Sequence, residues 1–246
     1  MNIDTSNLLN SILEELSSLS YVHPGDVPNI DLYMDQVTTF MDEQLASTKR
    51  YPDDKILTKT MINNYTKNNL LPPPVKKKYS REHLLLLVFI YYFKNILSIK
   101  DIETVLAPLT EKYFPDGSSF ELADIYKEVC KIEKEQLDSI KENVTATYEK
   151  SAETFTHLAD GEDKEILQQF AFICSLSFDV YIKKMIIERI IDDLSSKSSK
   201  NEEKKKKDKK KKKDKKKKKD KKDEQIEELN DRLKRQMAEF ENFRKR

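Results

Sequence analysis

Residues 56–90 read ILTKTMINNYTKNNLLPPPVKKKYSREHLLLLVFI, and the order of parts in this stretch decides the fold. Thr58 is placed to cap a short helix predicted over 58–69, since a hydroxyl at that position can accept from the first free backbone N–H groups. Asn68 or Asn69 can take the left-handed conformation that ends a helix. Leu70-Leu71-Pro72-Pro73-Pro74 must be extended, because each proline disfavours helix in the residue before it. A short wing fits 75–79. Ser80 then caps a strongly apolar helix predicted over 81–97.

The flanking sequence is helical in pattern throughout. Leu8, Leu9, Ile12, Leu13, Leu16 and Leu19 recur at helical spacing within 1–20. Residues 21–29 hold Pro24, Gly25 and Pro28 and read as a connection. Ile30, Tyr33, Met34, Val37, Phe40, Met41 and Leu45 share one face of a helix predicted over 30–47. Ser98 with Asp101 opens another helix, which is expected to stop near Ala107-Pro108. Pro115-Asp116-Gly117 reads as a turn, and Ser118 with Glu121 opens a long helix over about 118–150. The last helix of this half, 162–194, is apolar on more than one side. It therefore needs burial on several sides, as the centre of a bundle or as a dimer seam. No strand is expected beyond the wing, so the fold class is all-α.

Composition excludes several classes. Only 3 Gly stand in 246 residues, against hairpin-rich sheets and against phosphate-cradling loops. Two Cys and three His are scattered with no CxxC and no HxxxH, so neither a metal nor a cofactor is expected. The first residues carry acids and no basic n-region, unlike a signal peptide. The longest apolar run, residues 84–93, is half of what a bilayer span needs. A cytoplasmic protein with no membrane partner is the expectation.

Catalysis finds no constellation. Cys174 lies in FAFICSLSF and reads as buried core. Cys130 stands among Lys127, Lys131, Glu128 and Glu133, whose charges oppose one another. His83 starts the apolar helix, and His157 has no paired acid. The chain is not expected to be an enzyme.

The net charge of +1 hides a strong asymmetry. Residues 204–222 hold 16 Lys and 3 Asp, whereas residues 1–203 hold 23 basic and 34 acidic groups. Within that acidic body, residues 55–81 carry seven basic residues (Lys55, Lys59, Lys67, Lys76, Lys77, Lys78 and Arg81) and no acid. A cationic island on an anionic body fits a local phosphate footprint, while the remainder repels nucleic acid. A solvated helix and loop is the plain alternative. Asn63 and Asn64 are residue types that can bond adenine in the major groove. Thr58 and Tyr65 can hold phosphates.

This segment resembles the DNA-binding start of the MerR family of winged-helix regulators. There a recognition helix ends in Tyr, a GLL-P-P wing carries basic residues, and a YS-x-E/D-x-L segment opens the next helix. The matching residues here are Tyr65, Leu70, Leu71, Pro72, Pro73, Lys76, Lys77, Lys78, Tyr79, Ser80, Glu82 or His83, and Leu84. Residues 98–102, SIKDI, are similar to that family's next helix start. Asn63-Asn64 stand where the family has Arg-Tyr, and Asn69 stands for its Gly. No cysteine set for metal sensing is present. Residues 28–190 as a whole resemble a bacterial family of uncharacterised regulators with this motif and a helical C-terminal half. The resemblance implies a winged helix-turn-helix, double-stranded DNA as partner and a homodimer. Residue type, the basic window and the resemblance together assign DNA contact to Thr58, Lys59, Asn63, Asn64, Tyr65, Lys67, Lys76, Lys77, Lys78, Tyr79 and Arg81.

Residues 195–223 hold no apolar side chain, and their dense like charge predicts a disordered linker. After it, Ile226, Leu229, Leu233, Gln236, Phe240 and Phe243 alternate at steps of three and four, the seam of a coiled coil with one polar position. The end of the chain, LKRQMAEFENFRKR at 233–246, resembles the N-terminal long helix of GrpE, the nucleotide exchange factor of DnaK-type chaperones. The resemblance implies GrpE or DnaK as partners and a GrpE-type co-chaperone fragment as the alternative to a transcriptional regulator. A helical scaffold with no nucleic-acid partner is a third reading. The expected organisation is an N-terminal helix and linker at 1–27, a MerR-like domain at 28–110 and a helical dimerisation region at 111–195. A Lys-rich linker at 196–223 and a coiled-coil fragment at 224–246 complete it.

Overall fold

The computed structural model describes residues 5–18, 22–114 and 121–244, with side chains described for 7–18, 22–114, 121–197 and 226–237. The elements in order are α1 (Thr5–Ser18), β1 (Leu32–Tyr33), α2 (Met34–Gln44), a 3-10 turn (Ala46–Thr48), α3 (Lys59–Lys67), β2 (Lys78–Tyr79), α4 (Arg81–Phe93), α5 (Ile99–Tyr113), α6 (Leu122–Ala152) and α7 (Glu162–Arg244). The architecture is helical, as the periodicity predicts, with one two-stranded ladder. The chain divides into two units, Met1–Asp192 and Asp193–Arg246.

The first unit is organised around α4. Every residue from His83 through Tyr91 is buried, so neighbours surround this helix on all sides. Each aliphatic side chain buried there contributes about 1.5–3 kcal/mol. Tyr126 of α6 meets Phe89 edge-on at 5.4 Å, and its hydroxyl donates to the Val22 carbonyl at 2.6 Å. The core runs from Val22 to Tyr126 and takes in α2, α3, α4, α5 and the first turns of α6. The boundary expected at residue 110 therefore falls inside the core, not between bodies.

Local caps explain where the helices start. Thr58 Oγ1 accepts from the Met61 N–H at 3.2 Å and opens α3 as expected. Asn69 has φ 58°, the left-handed position that stops it. Ser98 Oγ accepts from the Asp101 N–H at 3.2 Å and opens α5. At Ser80 the reciprocal partner is an imidazole: the Ser80 N–H donates to His83 Nδ1 at 2.9 Å.

Several boundaries differ from the expectation. The helix predicted from residue 30 starts at Met34, because Gln36 Oε1 accepts the Tyr33 N–H at 2.9 Å and makes Tyr33 its N-cap. Leu32 and Tyr33 instead pair antiparallel with Tyr79 and Lys78. The apolar helix ends at Phe93 instead of running to 97. The next one passes through Pro108 to Tyr113. Proline forfeits one backbone bond there, and buried Ile102 and Leu106 anchor the helix on the core. The turn at 115–117 and the cap at Ser118 lie outside the described residues, and α6 opens at Glu121.

α6 and the start of α7 form a hairpin. Gln168 Nε2 donates to the carbonyls of Ala152 and Thr154, and Tyr148 meets Phe172 edge-on at 5.4 Å. Only Phe172 and Ile191 of α7 are buried among its described residues. The bundle-centre alternative for 162–194 is thereby overturned, and so is the buried reading of Cys174, which is exposed. The centre of the unit is α4 instead.

In the second unit the backbone is helical through 196–223, the stretch whose charge density predicts disorder. Lysine's intrinsic helix propensity favours that backbone, while its like charges oppose it. Ile226, Leu229, Leu233 and Gln236 are exposed along the helix. The side chains of Phe240 and Phe243 lie outside the described residues. No helix among the described residues is long and apolar enough to cross a membrane.

Candidate nucleic-acid interface

α3 presents two unlike sides. Ile62 and Tyr65 are buried against the core. Lys59, Thr60, Asn63, Asn64 and Lys67 are all exposed. At about 100° per residue these five share one side of the helix, with Asn63 and Lys67 near its middle. α3 itself contributes no carboxylate to that face.

Four of the expected contact residues are withdrawn from the surface. Tyr65 is 6% exposed and Tyr79 3%. Burial raises the pKa of both phenols. The Thr58 hydroxyl accepts the α3 cap bond. Arg81 is half-buried, and its Nη2 donates to the Pro24 carbonyl at 2.8 Å, tying α4 to the chain entering the domain. Asn63, Tyr65 and Lys77 therefore do not share a surface, and Tyr65 is support, not contact. The spacing carries this signal: Met61, Ile62 and Tyr65 fall at steps of one and three, on the apolar side of α3.

The wing is a tight hairpin. The N–H and C=O groups of Val75 and Lys78 bond each other at 2.9 and 3.1 Å. The two central residues, Lys76 and Lys77, have φ of 50° and 65°. Two adjacent left-handed residues define a type I′ turn, which favours Asn-Gly. Lysines here carry strain of order 1 kcal/mol or more each, and both are exposed. Lys78 lies back over the Tyr33 ring, 5.3 Å from its centroid, at the β1–β2 ladder. Val75, at the foot of the turn, is 69% exposed.

The sequence reading missed the residues that hold this surface in place. Asp35, in the first turn of α2, forms an ion pair with Lys59 at the start of α3. Lys94 Nζ donates to the Ile56 carbonyl at 2.8 Å and lies 4.6 Å from the Tyr91 ring centroid, fixing the chain that enters α3. Burial lowers the Lys94 pKa. Thr48 Oγ1 meets the Tyr91 hydroxyl, and Lys49 pairs with Asp42 at 2.8 Å. These contacts stitch down residues 45–58, a connection far longer than the three- or four-residue turn of a standard helix-turn-helix.

Behind the wing stands His83. Its ring lies between Tyr79 and Phe114, at 5.4 and 4.8 Å, with both contacts edge-on. Nδ1 accepts from Ser80, so the proton of the neutral ring is on Nε2, which is buried without a bonded partner beside the Pro72 and Pro73 carbonyls. Burial lowers its pKa, against smaller opposing effects of those carbonyls, Glu82 and Asp31. Among the described residues no cluster of His, Cys, Asp and Glu could hold a metal ion.

Comparison with known proteins adds one match. A family model described as a domain of unknown function, DUF1836, matches residues 22–129. That span coincides with the buried core from Val22 to Tyr126 and includes α3 and the wing. No curated protein and no solved structure matches the chain. No MerR-like or GrpE family model matches it either.

Proposed function

We propose that the first unit binds duplex DNA through α3 and the wing, as a transcriptional regulator of MerR-like type. The observation that carries this reading is the exposed face of α3, to which the helix itself contributes no acid and on which Asp35 of α2 pairs with Lys59. It joins Lys59, Asn63, Asn64 and Lys67 on a body that is otherwise acidic. A helix such as α3, about 10–12 Å across with its side chains, fits a major groove about 12 Å wide. Asn63 and Asn64 are assigned to base edges. Lys59, Lys67, Lys76 and Lys77 are assigned to phosphates, with Lys78 shared between phosphate and the Tyr33 ring. Tyr65, Tyr79, Thr58 and Arg81 build the support. The strained wing adds weight: lysine is a poor fit to that turn, so charge and not backbone preference explains its presence there.

The test is duplex binding by the full chain as a function of salt. Replacing Lys76, Lys77 and Lys78 with Ala is expected to weaken binding to all sequences and flatten the log–log salt slope by up to about 2.7. The Lys-rich stretch contributes equally to both proteins, so the difference reports the wing. An unchanged slope removes the wing from the reading.

A second reading concerns the C-terminal helix. Exposed Ile226, Leu229 and Leu233 support pairing with another coiled-coil strand, of GrpE type by resemblance. Capture of GrpE or DnaK by the full chain, abolished by Leu229→Glu with Leu233→Glu, is the outcome this reading requires.

A further inference from the structure

Behind the wing, where the β1–β2 ladder meets the start of α4, lies a cavity of about 470 Å³. That volume is typical of small-molecule sites. Its wall brings together unlike side chains. Ile30, Val75 and Phe114 supply apolar surface, Lys78 and Arg81 positive charge, and Asp31 and Glu82 negative charge. We propose that this cavity takes a small zwitterion with an apolar side chain, of the class of the free apolar amino acids. Lys78 and Arg81 receive its carboxylate, and Asp31 receives its ammonium.

Three observations select that ligand. The first is charge left open. Lys78 lies over the Tyr33 ring, and among the described residues neither Lys78 nor Asp31 forms an ion pair. Leu32 pairs with Tyr79 and Tyr33 with Lys78, so Asp31 stands one step along, diagonal to Lys78. Diagonal neighbours are roughly 7–8 Å apart, a gap that an ammonium and a carboxylate joined through one carbon can bridge. Arg81 Nη2 is engaged by the Pro24 carbonyl, but its Nε is buried with no bonded partner. A buried donor left open is unfavourable until something accepts from it, and a carboxylate is a strong acceptor. The second observation is balance. Two cations and two anions share one wall, so a ligand of no net charge fits it best. A phosphate would meet Asp31 and Glu82, and a simple amine would meet Lys78 and Arg81. The third is apolar surface in water. Ile30 and Val75 are 67% and 69% exposed, although both stand at the cavity. An apolar side chain on the ligand covers them.

This proposal does not rest on the duplex reading, and ligand binding is measured without DNA, so the two fail separately. The experiment is isothermal titration calorimetry of the full chain with L-phenylalanine and with L-leucine, each up to about 10 mM. Three comparators accompany them: 3-phenylpropanoate lacks the ammonium, 2-phenylethylamine lacks the carboxylate, and N-acetyl-L-phenylalanine mimics the end of a protein chain. The expected result is a Kd below about 1 mM for at least one of the two amino acids, with each comparator weaker by about tenfold or more. Asp31→Asn and Lys78→Gln should each weaken binding by about tenfold, with helical circular dichroism unchanged. Should Lys78→Gln lose its fold, Asp31→Asn still decides, because that side chain is exposed. A Kd above about 1 mM for both amino acids, or undiminished binding in Asp31→Asn, overturns the proposal. So does a comparator that binds as tightly as the amino acid, and N-acetyl-L-phenylalanine in that place would assign the cavity to a chain end.

Discussion

Lys76 and Lys77 stand side by side in left-handed backbone at φ 50° and 65°, closing the hairpin between Val75 and Lys78. Asparagine and glycine fit those two positions with far less strain. Lys76→Asn with Lys77→Gly is therefore expected to raise stability by about 1 kcal/mol in a denaturant melt. The same variant should bind duplex more weakly, with a salt slope lower by about 1.8. Gain in one measurement and loss in the other would separate the wing's conformation from its charge. Equal binding would place these lysines outside the interface.

The Asp35–Lys59 pair predicts an unusual gain of affinity. Both side chains are well exposed, so the pair itself stabilises the fold by no more than about 1 kcal/mol. Bound phosphate must compete with Asp35 for the ammonium. Asp35→Asn should tighten duplex binding up to about fivefold at low salt, with the gain shrinking as salt rises. Fluorescence anisotropy on a labelled duplex measures it. A loss of affinity would mean that Asp35 orients Lys59 for contact.

Asn63 lies near the middle of the exposed face of α3, and Lys67 lies close beside it. Asn63→Ala should cost about 1–3 kcal/mol on a selected site and little on random duplex, because a lost base contact lowers preference. Lys67→Ala should weaken both alike and lower the salt slope by about 0.9. Selection from a random duplex library, followed by binding of both variants, checks the contrast. If the two variants behave identically, α3 does not read bases.

His83 predicts a pH dependence of stability. Burial holds its folded pKa below the ordinary value near 6.5. As pH falls through that value, the unfolded chain takes up a proton that the folded chain resists, and stability drops. Above it the contribution is fully present. The groups facing the ring with opposite effect are Glu82 and Asp31. Urea midpoints should fall between about pH 7.5 and 5.5. His83→Gln, which keeps an acceptor for the Ser80 N–H, should flatten that fall. A wild-type midpoint constant over this range would show that the ring titrates freely.

The helices were legible in the sequence wherever a local cap carried the information. Thr58, Ser98 and Asn69 act over three or four residues, and their effects follow from residue type alone. The ladder was not legible, because two residues per strand have no period to detect and Leu32 meets Tyr79 only after the chain folds back. Tyr65 shows the opposite failure. The resemblance assigned it to phosphate, although its spacing from Ile62 already placed it on the buried side. The apolar period of α7 left bundle centre and dimer seam both open, because a hydrophobic period tells that a face is to be covered, never by which chain.

The bond from the Tyr126 hydroxyl to the Val22 carbonyl closes a loop of 104 residues. Because chains emerge from the ribosome N-terminus first, α4 is synthesised well before the residue that lids it. Until the first turns of α6 have been made, the LLLLVFIY run has no complete enclosure and is exposed to association with other nascent chains. The residues that follow Tyr126 are translated after it, so the closing contact can form while the chain is still being made.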